Sequence, residues 1–306
     1  MTSTRLVHTV GLRALEWLHA HRSGFRLEED VDPEVGFLER FKPIGELAAV
    51  CGVLFREGVA GSRQAQLARR LLDHTWQDAL DGGRMLVRGQ RLEPLSPVPF
   101  EVYLPFRELG YSQPGIEASV RLNQRLESWA ALEVKPVRRL GISAFERRFG
   151  LTPAVPTEQA LARTWLGRTP EPWTAEGHIG YDITHTVFHL TDWGRSPEGI
   201  PGHIAEYLAL WLPVWLDDWL DLQRWDLLGE LLAVDACLPE PALDTEAWAG
   251  LAAAQQEDGA VPAVRGMPEG EPQDVFDAVY HPTLVAAFAA TLATSHALSR
   301  LTGPAE

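Results

Sequence analysis

Cysteine is almost missing from this chain: Cys51 and Cys237 are the only two in 306 residues. A disulfide framework and a multi-cysteine zinc site are both excluded. Each thiol lies in apolar sequence ("LAAVCGVLF", "LLAVDACLP") and reads as a small buried hydrophobe. Positive charge is scarce as well, since 27 Lys and Arg face 42 Asp and Glu for a net −15. Such a surface repels phosphate backbones and anionic lipid heads, and no basic patch offsets it. Arginine-bearing runs such as "RQAQLARR" (63–70) read as solvated helix faces. No apolar run reaches the ~18 residues of a membrane span. The N-terminal "MTSTRLVHTVGLRALEWLHAHR" has no uninterrupted apolar core and no small-residue cleavage site, so it reads as a first amphipathic helix. These features lead us to expect a cytoplasmic protein without nucleic-acid or membrane partners. Also missing are long alternations of β-branched residues, a nucleophile elbow and a phosphate-binding glycine loop.

Helical periodicity fills the space those absences leave. With 45% hydrophobic residues the chain has ample material for a large core. Residues 6–22 place Leu6, Val10, Leu15 and Leu18 near one stripe. Residues 43–58 open with Pro43 and stop at Gly58, and 62–80 carry Ser62 as an N-cap. Further helices are predicted over 116–132, 136–150, 156–167 (Thr157 beginning a capping box), 202–222, 224–238, 244–256 and 282–301. The Gly- and Pro-rich region 81–115 reads as loop with short pieces of structure, and is the best place for a subdivision. The expected fold is all-α: roughly twelve helices, paired as hairpins, in an α/α toroid or curved solenoid forming one domain over 1–306.

One stretch calls for chemistry. "GYDITHTVFHLTDWG" (180–194) spaces Asp182, His185, His189 and Asp192 by three, four and three. At about 100° per residue all four fall within roughly an 80° arc, with Ile183, Val187 and Leu190 opposite and Gly194 as terminator. An exposed polar face would give the same wheel. Against it, 178–192 contain no Lys, Arg or Glu, the usual residues of a solvated face. Compact His, Asp and Thr suit a confined, wet cavity instead. Histidines at i and i+4 can share a metal, with Asp182 three residues before His185 as a third ligand. The alternative is proton transfer by His185 and His189, with the aspartates orienting the rings.

Three further motifs compete. "YHPTLVAAF" (280–288) echoes "YDITHTVFH" (181–189), and Pro282 marks a first helical position with His281 just before it. "DDWLD" places Asp217, Asp218 and Asp221 as DDxxD, which resembles the magnesium- and diphosphate-binding motif of class I terpene synthases and prenyl synthases. Their second, Asn/Ser/Glu motif is missing downstream, and Trp211, Trp215 and Trp219 read as a packing stripe. Gln255 to Gly259 resembles the Gln/Gly-rich turns of α/α-toroid proteins such as triterpene cyclases and prenyltransferase β-subunits. Pro262 stands near the place of the aromatic that completes their version. The lanthionine-cyclase zinc set and the Asp-x-Asp-Asp acid of terpene cyclases are absent. "YDITHTVFHLTDWGR" with the later "YHPTLV" is similar to an uncharacterised actinobacterial family of helical proteins, a resemblance that spans most of the C-terminal half.

The expected function is that of an enzyme acting on a small or medium organic molecule. Asp182, His185, His189 and His281 are the candidate catalytic groups, and Tyr181, Asp192, Trp193 and Tyr280 the candidate substrate contacts. Asp182, His185 and His189 are the candidate ligands for a divalent metal, zinc or iron. The alternatives are an isoprenoid-type cyclase working through Asp217, Asp218 and Asp221, and a non-catalytic helical scaffold or peptide-binding protein. Oligomeric state is left open.

Overall fold

A computed structural model of the chain describes residues 3–27 and 40–302. Local signals set many of its helix boundaries. The Ser62 hydroxyl accepts from Ala65 N at 3.2 Å and starts a helix at Arg63. Asp244 caps another by accepting from Glu246 N and Ala247 N, both at 2.9 Å. Pro136 opens a helix that Gly150 closes in the left-handed region, at φ 86°. In order the helices are α1 (Ser3–Ala20), α2 (Phe41–Glu57), α3 (Arg63–His74), α4 (Arg84–Leu92), α5 (Val98–Glu108), α6 (Pro114–Asn123) and α7 (Glu127–Ala130). They continue with α8 (Pro136–Phe149), α9 (Thr157–Leu161), α10 (Gly177–Leu190), α11 (Gly202–Asp221), α12 (Trp225–Cys237), α13 (Thr245–Ala254) and α14 (Pro272–Thr302). The described residues contain no β-strand, so the fold is all-α.

Several expectations need correction. Region 81–115 holds two helices, α4 and α5. Pro97 and Pro99 fall at the start of α5, where a missing N–H costs nothing, and buried Phe100, Tyr103 and Phe106 anchor the helix in the core. The helix expected over 116–132 is two pieces, α6 and α7. The one expected over 156–167 shrinks to α9, whose N-cap is Pro156 with no side-chain cap. Thr157 accepts from Arg147 instead, at 2.9 Å. Leu6 is 39% exposed and does not join Val10, Leu15 and Leu18 in the core. Pro282 does not start a helix but lies inside α14, so His281 is mid-helix. Pro282 leaves the Ala278 carbonyl without its helical partner, and Ala278 is exposed, so water can serve it.

Packing puts α12 at the centre. Every residue of α12 except Asp226 is buried, and the helix touches α10, α11, α13 and α14. Six helices follow one another in contact: α2 packs on α5, α5 on α8, α8 on α10, α10 on α12, α12 on α14, and α14 returns to α2. The others lie outside that circuit, with α1 along α14 and α11 on α12. Both cysteines are buried and free. By length and composition α14 is long and apolar enough to cross a membrane, and 72% of that window is buried inside the fold.

Candidate functional site

The circuit of helices lines an open-mouthed cavity of about 1140 Å³. Its polar floor joins α2, α10, α12 and α14. Asp226 and Glu230 are one turn apart on α12 and share a face. The His281 Nδ1–H donates to Asp226 Oδ1 at 2.7 Å, and the Tyr181 hydroxyl donates to Asp226 Oδ2 at 2.6 Å. On its other side, His281 Nε2 lies 3.6 Å from Glu230 Oε1 and 3.8 Å from Glu46 Oε1. Glu46 accepts from the Tyr280 hydroxyl at 3.3 Å and is 3.7 Å from Lys42 Nζ. Glu230 Oε2 accepts from the Thr184 hydroxyl and is 3.7 Å from His185 Nδ1. That His185 nitrogen also donates to the Tyr181 carbonyl at 2.9 Å. Nδ1 therefore carries the proton in the neutral ring, and Nε2 is the basic nitrogen.

Environment splits the protonation states. Burial pushes the Glu230 carboxyl up, and the neighbouring Asp226 charge adds to this against the opposing pull of the His185 and His281 rings and Thr184. Burial alone would lower the His281 imidazole. The Asp226 hydrogen bond and the Asp226, Glu46 and Glu230 carboxylates outweigh it and raise it to about 9. Burial works against the Asp226 carboxylate as well, but the His281 and Tyr181 hydrogen bonds hold it below the usual range. His189 is enclosed by protein wherever it does not face the cavity. That burial, with the neighbouring His185 ring and the guanidiniums of Arg138, Arg148 and Arg147, keeps its pKa well below the ordinary value. The floor thus pairs a raised imidazole with a lowered carboxylate beside a carboxyl whose pKa is raised, and the His189 imidazole against α8 is lowered.

The rest of the wall is apolar and aromatic. Trp193 stacks on Phe188 (5.3 Å, 18°), and Phe288 meets Phe188 edge-on (5.2 Å, 76°). Trp193 belongs to a strained turn: Asp192, Trp193 and Gly194 all have positive φ, at 47°, 58° and 81°. Arg147 donates to Asp192 Oδ1 at 3.2 Å and Arg56 to the Trp193 carbonyl at 2.7 Å, which holds the turn in place.

The structure sorts the residues expected from the sequence. His185, His189, His281, Asp192 and Trp193 line the cavity. Asp192 does so from the turn after α10, not from the helix, which ends at Leu190 before Gly194 is reached. Asp182 does not line the cavity. It lies a turn before His185, where Tyr181 and Thr184 bond α10 to α12. Tyr181 and Tyr280 are not lining residues either; each holds a floor carboxylate from behind. The expected metal set is not assembled: the His185 and His189 ring centroids are 6.3 Å apart at 65°, and Asp182 is elsewhere. Among the described residues no three His, Cys, Asp or Glu side chains are grouped to hold one ion. Asp217, Asp218 and Asp221 are exposed on α11, away from the cavity, while Trp215 and Trp219 are buried as a packing stripe should be.

Sequence reasoning missed Asp226, Glu230 and Glu46. For Glu230 a signal existed, a lone carboxylate inside the apolar run "LLGELLAV". His189 owes its place to a glycine on α8: a Cβ at Gly141 would sit 2.7 Å from His189 Nε2. Gly141→Ala is therefore expected to displace the ring, shrink the cavity and alter Trp193 fluorescence, with little loss of helix content. An unchanged His189 imidazole NMR signal would contradict this.

No curated protein and no solved structure matches the chain. A family model does match, over residues 11–291, a span that takes in every residue of this floor, and the chain accordingly belongs to the family described as Domain of unknown function (DUF6895).

Proposed function

We propose that this protein is an enzyme that binds a small or medium organic molecule in the cavity and moves protons on it. The observation that carries the reading is Glu230. Its side chain is 3% exposed, and its partners among the described residues are a hydroxyl and two imidazoles, with no Lys or Arg. Burial in that setting raises the pKa of the carboxyl, the direction that suits a general acid giving its proton to a substrate. His185 Nε2 is the matching proton acceptor. His281, held by Asp226, supplies a fixed positive charge beside the reacting groups. The volume of about 1140 Å³ and the aromatic wall suit a molecule with an extended apolar body. The circuit of six helices supports a closed α/α toroid, with the site inside the ring and the whole chain as one domain. The extensive burial of α14 supports a core helix rather than a membrane span.

Glu230→Gln tests the reading, since it keeps the size and the contact with Thr184 while removing the transferable proton. The purified protein is incubated with a small-molecule extract, and consumed or newly formed species are followed by mass spectrometry. We expect substrate turnover by the wild type and a loss of about 100-fold or more in Glu230→Gln, the usual scale of general acid–base catalysis. Equal turnover by the two proteins would remove Glu230 from the chemistry.

A further inference from the structure

Three polar atoms on the cavity floor face one another without a hydrogen bond. His281 Nε2 is 3.6 Å from Glu230 Oε1 and 3.8 Å from Glu46 Oε1, and none of the three is hydrogen-bonded among the described residues. The other polar atom of each side chain is committed: His281 Nδ1 to Asp226, Glu230 Oε2 to Thr184, and Glu46 Oε2 to Tyr280. All three side chains line the cavity, so the uncommitted atoms are left for a ligand. A gap of 3.6 Å is too narrow for a water between the atoms. One oxygen beside them still reaches both Nε2 and Glu230 Oε1, because a hydrogen bond spans about 2.8 Å on each side. Nε2 is a donor in the imidazolium that Asp226 holds, and Glu230 in its protonated form is a second donor at Oε1. Charge decides which kind of oxygen fits. Asp226 and Glu46 face His281 and Lys42, so an ionised ligand finds no spare counter-charge. A neutral carbonyl suits that balance better than a carboxylate. Phe188 lies 6.0 Å from the His185 ring and packs with Trp193 and Phe288, which sets an apolar wall beside the polar floor.

We propose that Glu230 Oε1 and His281 Nε2 form a two-donor pocket for the oxygen of a ketone or aldehyde with an apolar body, and that His185 takes the proton from the carbon next to that carbonyl. The inference rests on the reading of Glu230 as a proton donor, and it names the substrate class. His185 adjoins the pocket, with its Nδ1 3.7 Å from Glu230 Oε2, and it lines the cavity. In the step the C–H bond breaks and its proton goes to His185 Nε2. The bonding pair becomes a new C=C bond, the carbonyl π pair moves onto oxygen, and that oxygen takes the Glu230 proton. The products are an enol, a Glu230 carboxylate and a His185 imidazolium, so protons and charge are conserved. A carboxyl kept neutral by its surroundings donates well to such an oxygen, and the fixed imidazolium stands where negative charge develops.

Matched naphthalenes test the pocket: acetonaphthone, isopropylnaphthalene and naphthoate, all substituted at the same ring position. Each is titrated by calorimetry, and the carbonyl stretch of bound acetonaphthone is read by difference infrared spectroscopy. The ketone is expected to bind about tenfold or more tighter than naphthoate, the scale of one charge-assisted hydrogen bond. Its carbonyl stretch should fall below the value in water, because two preorganised donors polarise it. His281→Asn keeps a donor for Asp226 but has no atom in place of Nε2. It should move the stretch back toward the water value and weaken ketone binding about tenfold, with isopropylnaphthalene affinity held within about twofold. In heavy water the wild type should exchange the acetyl protons of acetonaphthone for deuterium, and Glu230→Gln should slow this about 100-fold. A carbonyl stretch unchanged from water, naphthoate binding as tightly as the ketone, no ketone binding, or no exchange by the wild type would each overturn the proposal. If His281→Asn does not fold, the wild-type stretch and the comparison of ketone with naphthoate still decide. Loss of extract turnover in Glu230→Gln beside an unshifted carbonyl in the wild type would retain the acid–base reading and refute the carbonyl pocket alone.

Discussion

Raising the pH from 6.5 to about 9 is expected to weaken the folded protein, with His281 the main cause. The imidazole binds its proton more tightly in the folded chain than in the unfolded one. Its contribution to stability is fully present below the ordinary value of 6.5 and is lost as pH rises through about 9. With 20% of the side chain exposed, the loss should be on the order of 3 kcal/mol. Glu230 acts in the same direction, because ionising a buried carboxyl whose pKa is raised costs stability as pH climbs above 4.5. Two groups oppose this on the acid side. His189 stays neutral when folded, so the unfolded chain gains a proton below 6.5 that the folded chain does not. Asp226, with a lowered pKa, contributes stability above 3.8 that disappears as pH falls through its folded value. Urea midpoints measured in pH steps should therefore decline on both sides of neutrality. His281→Gln should flatten the alkaline limb, and Asp226→Asn should bring the His281 NMR titration down from about 9. An alkaline limb of full height in His281→Gln would show that the proton lies elsewhere.

Gly259→Ala is expected to cost about 3 kcal/mol or more, through two independent penalties. Gly259 sits at φ 104°, a left-handed conformation that side chains resist, and its missing Cβ would lie 2.2 Å from the Arg13 carbonyl oxygen. The clash is with backbone, so it cannot be relieved by turning a side chain. The surrounding turn is a staple between distant parts of the chain. Gln255 Nε2 donates to the Val10 and Gly259 carbonyls at 3.1 and 3.0 Å, and Arg13 donates to the Gln256 carbonyl at 2.7 Å. Gly61→Ala is the control: its φ of 77° carries a strain penalty, but nothing lies within 4 Å of the added carbon. A urea midpoint that falls no further for Gly259→Ala than for Gly61→Ala would show that α1 yields at Arg13. The Gln-x-x-Asp-Gly motif thus serves architecture, closing the C-terminal half onto α1.

The cavity floor shows why some of its members were readable and others were not. Spacing alone marks His185 and His189, since a helix wheel depends on local geometry. The same wheel placed Asp192 wrongly, because Thr191 ends the helix early. Its hydroxyl donates to the Val187 carbonyl at 2.9 Å and accepts from Gly194 N at 3.0 Å, and the chain turns left-handed between them. His281 stands out in the sequence for its echo of the earlier motif, but the proline after it reads as a helix start, whereas inside α14 it only leaves one carbonyl without its helical partner. Glu230 stood in plain sight as one acid in an apolar run, whereas Glu46 carried no such mark.

By itself the sequence determined what is local: an all-α chain, most of its helices, several of its caps, and the shared face of His185 and His189. These follow from backbone hydrogen bonding and a 3.6-residue period that act within a few residues. Only the tertiary structure decided that α2, α8, α10, α12 and α14 meet around one cavity. It alone set Glu46 and Glu230 each within 4 Å of His281, and it left Asp182 and the Asp217–Asp221 motif outside. Packing joins residues more than two hundred positions apart, and burial then sets their charge. Neither distance nor dielectric is written in the spacing of a single helix.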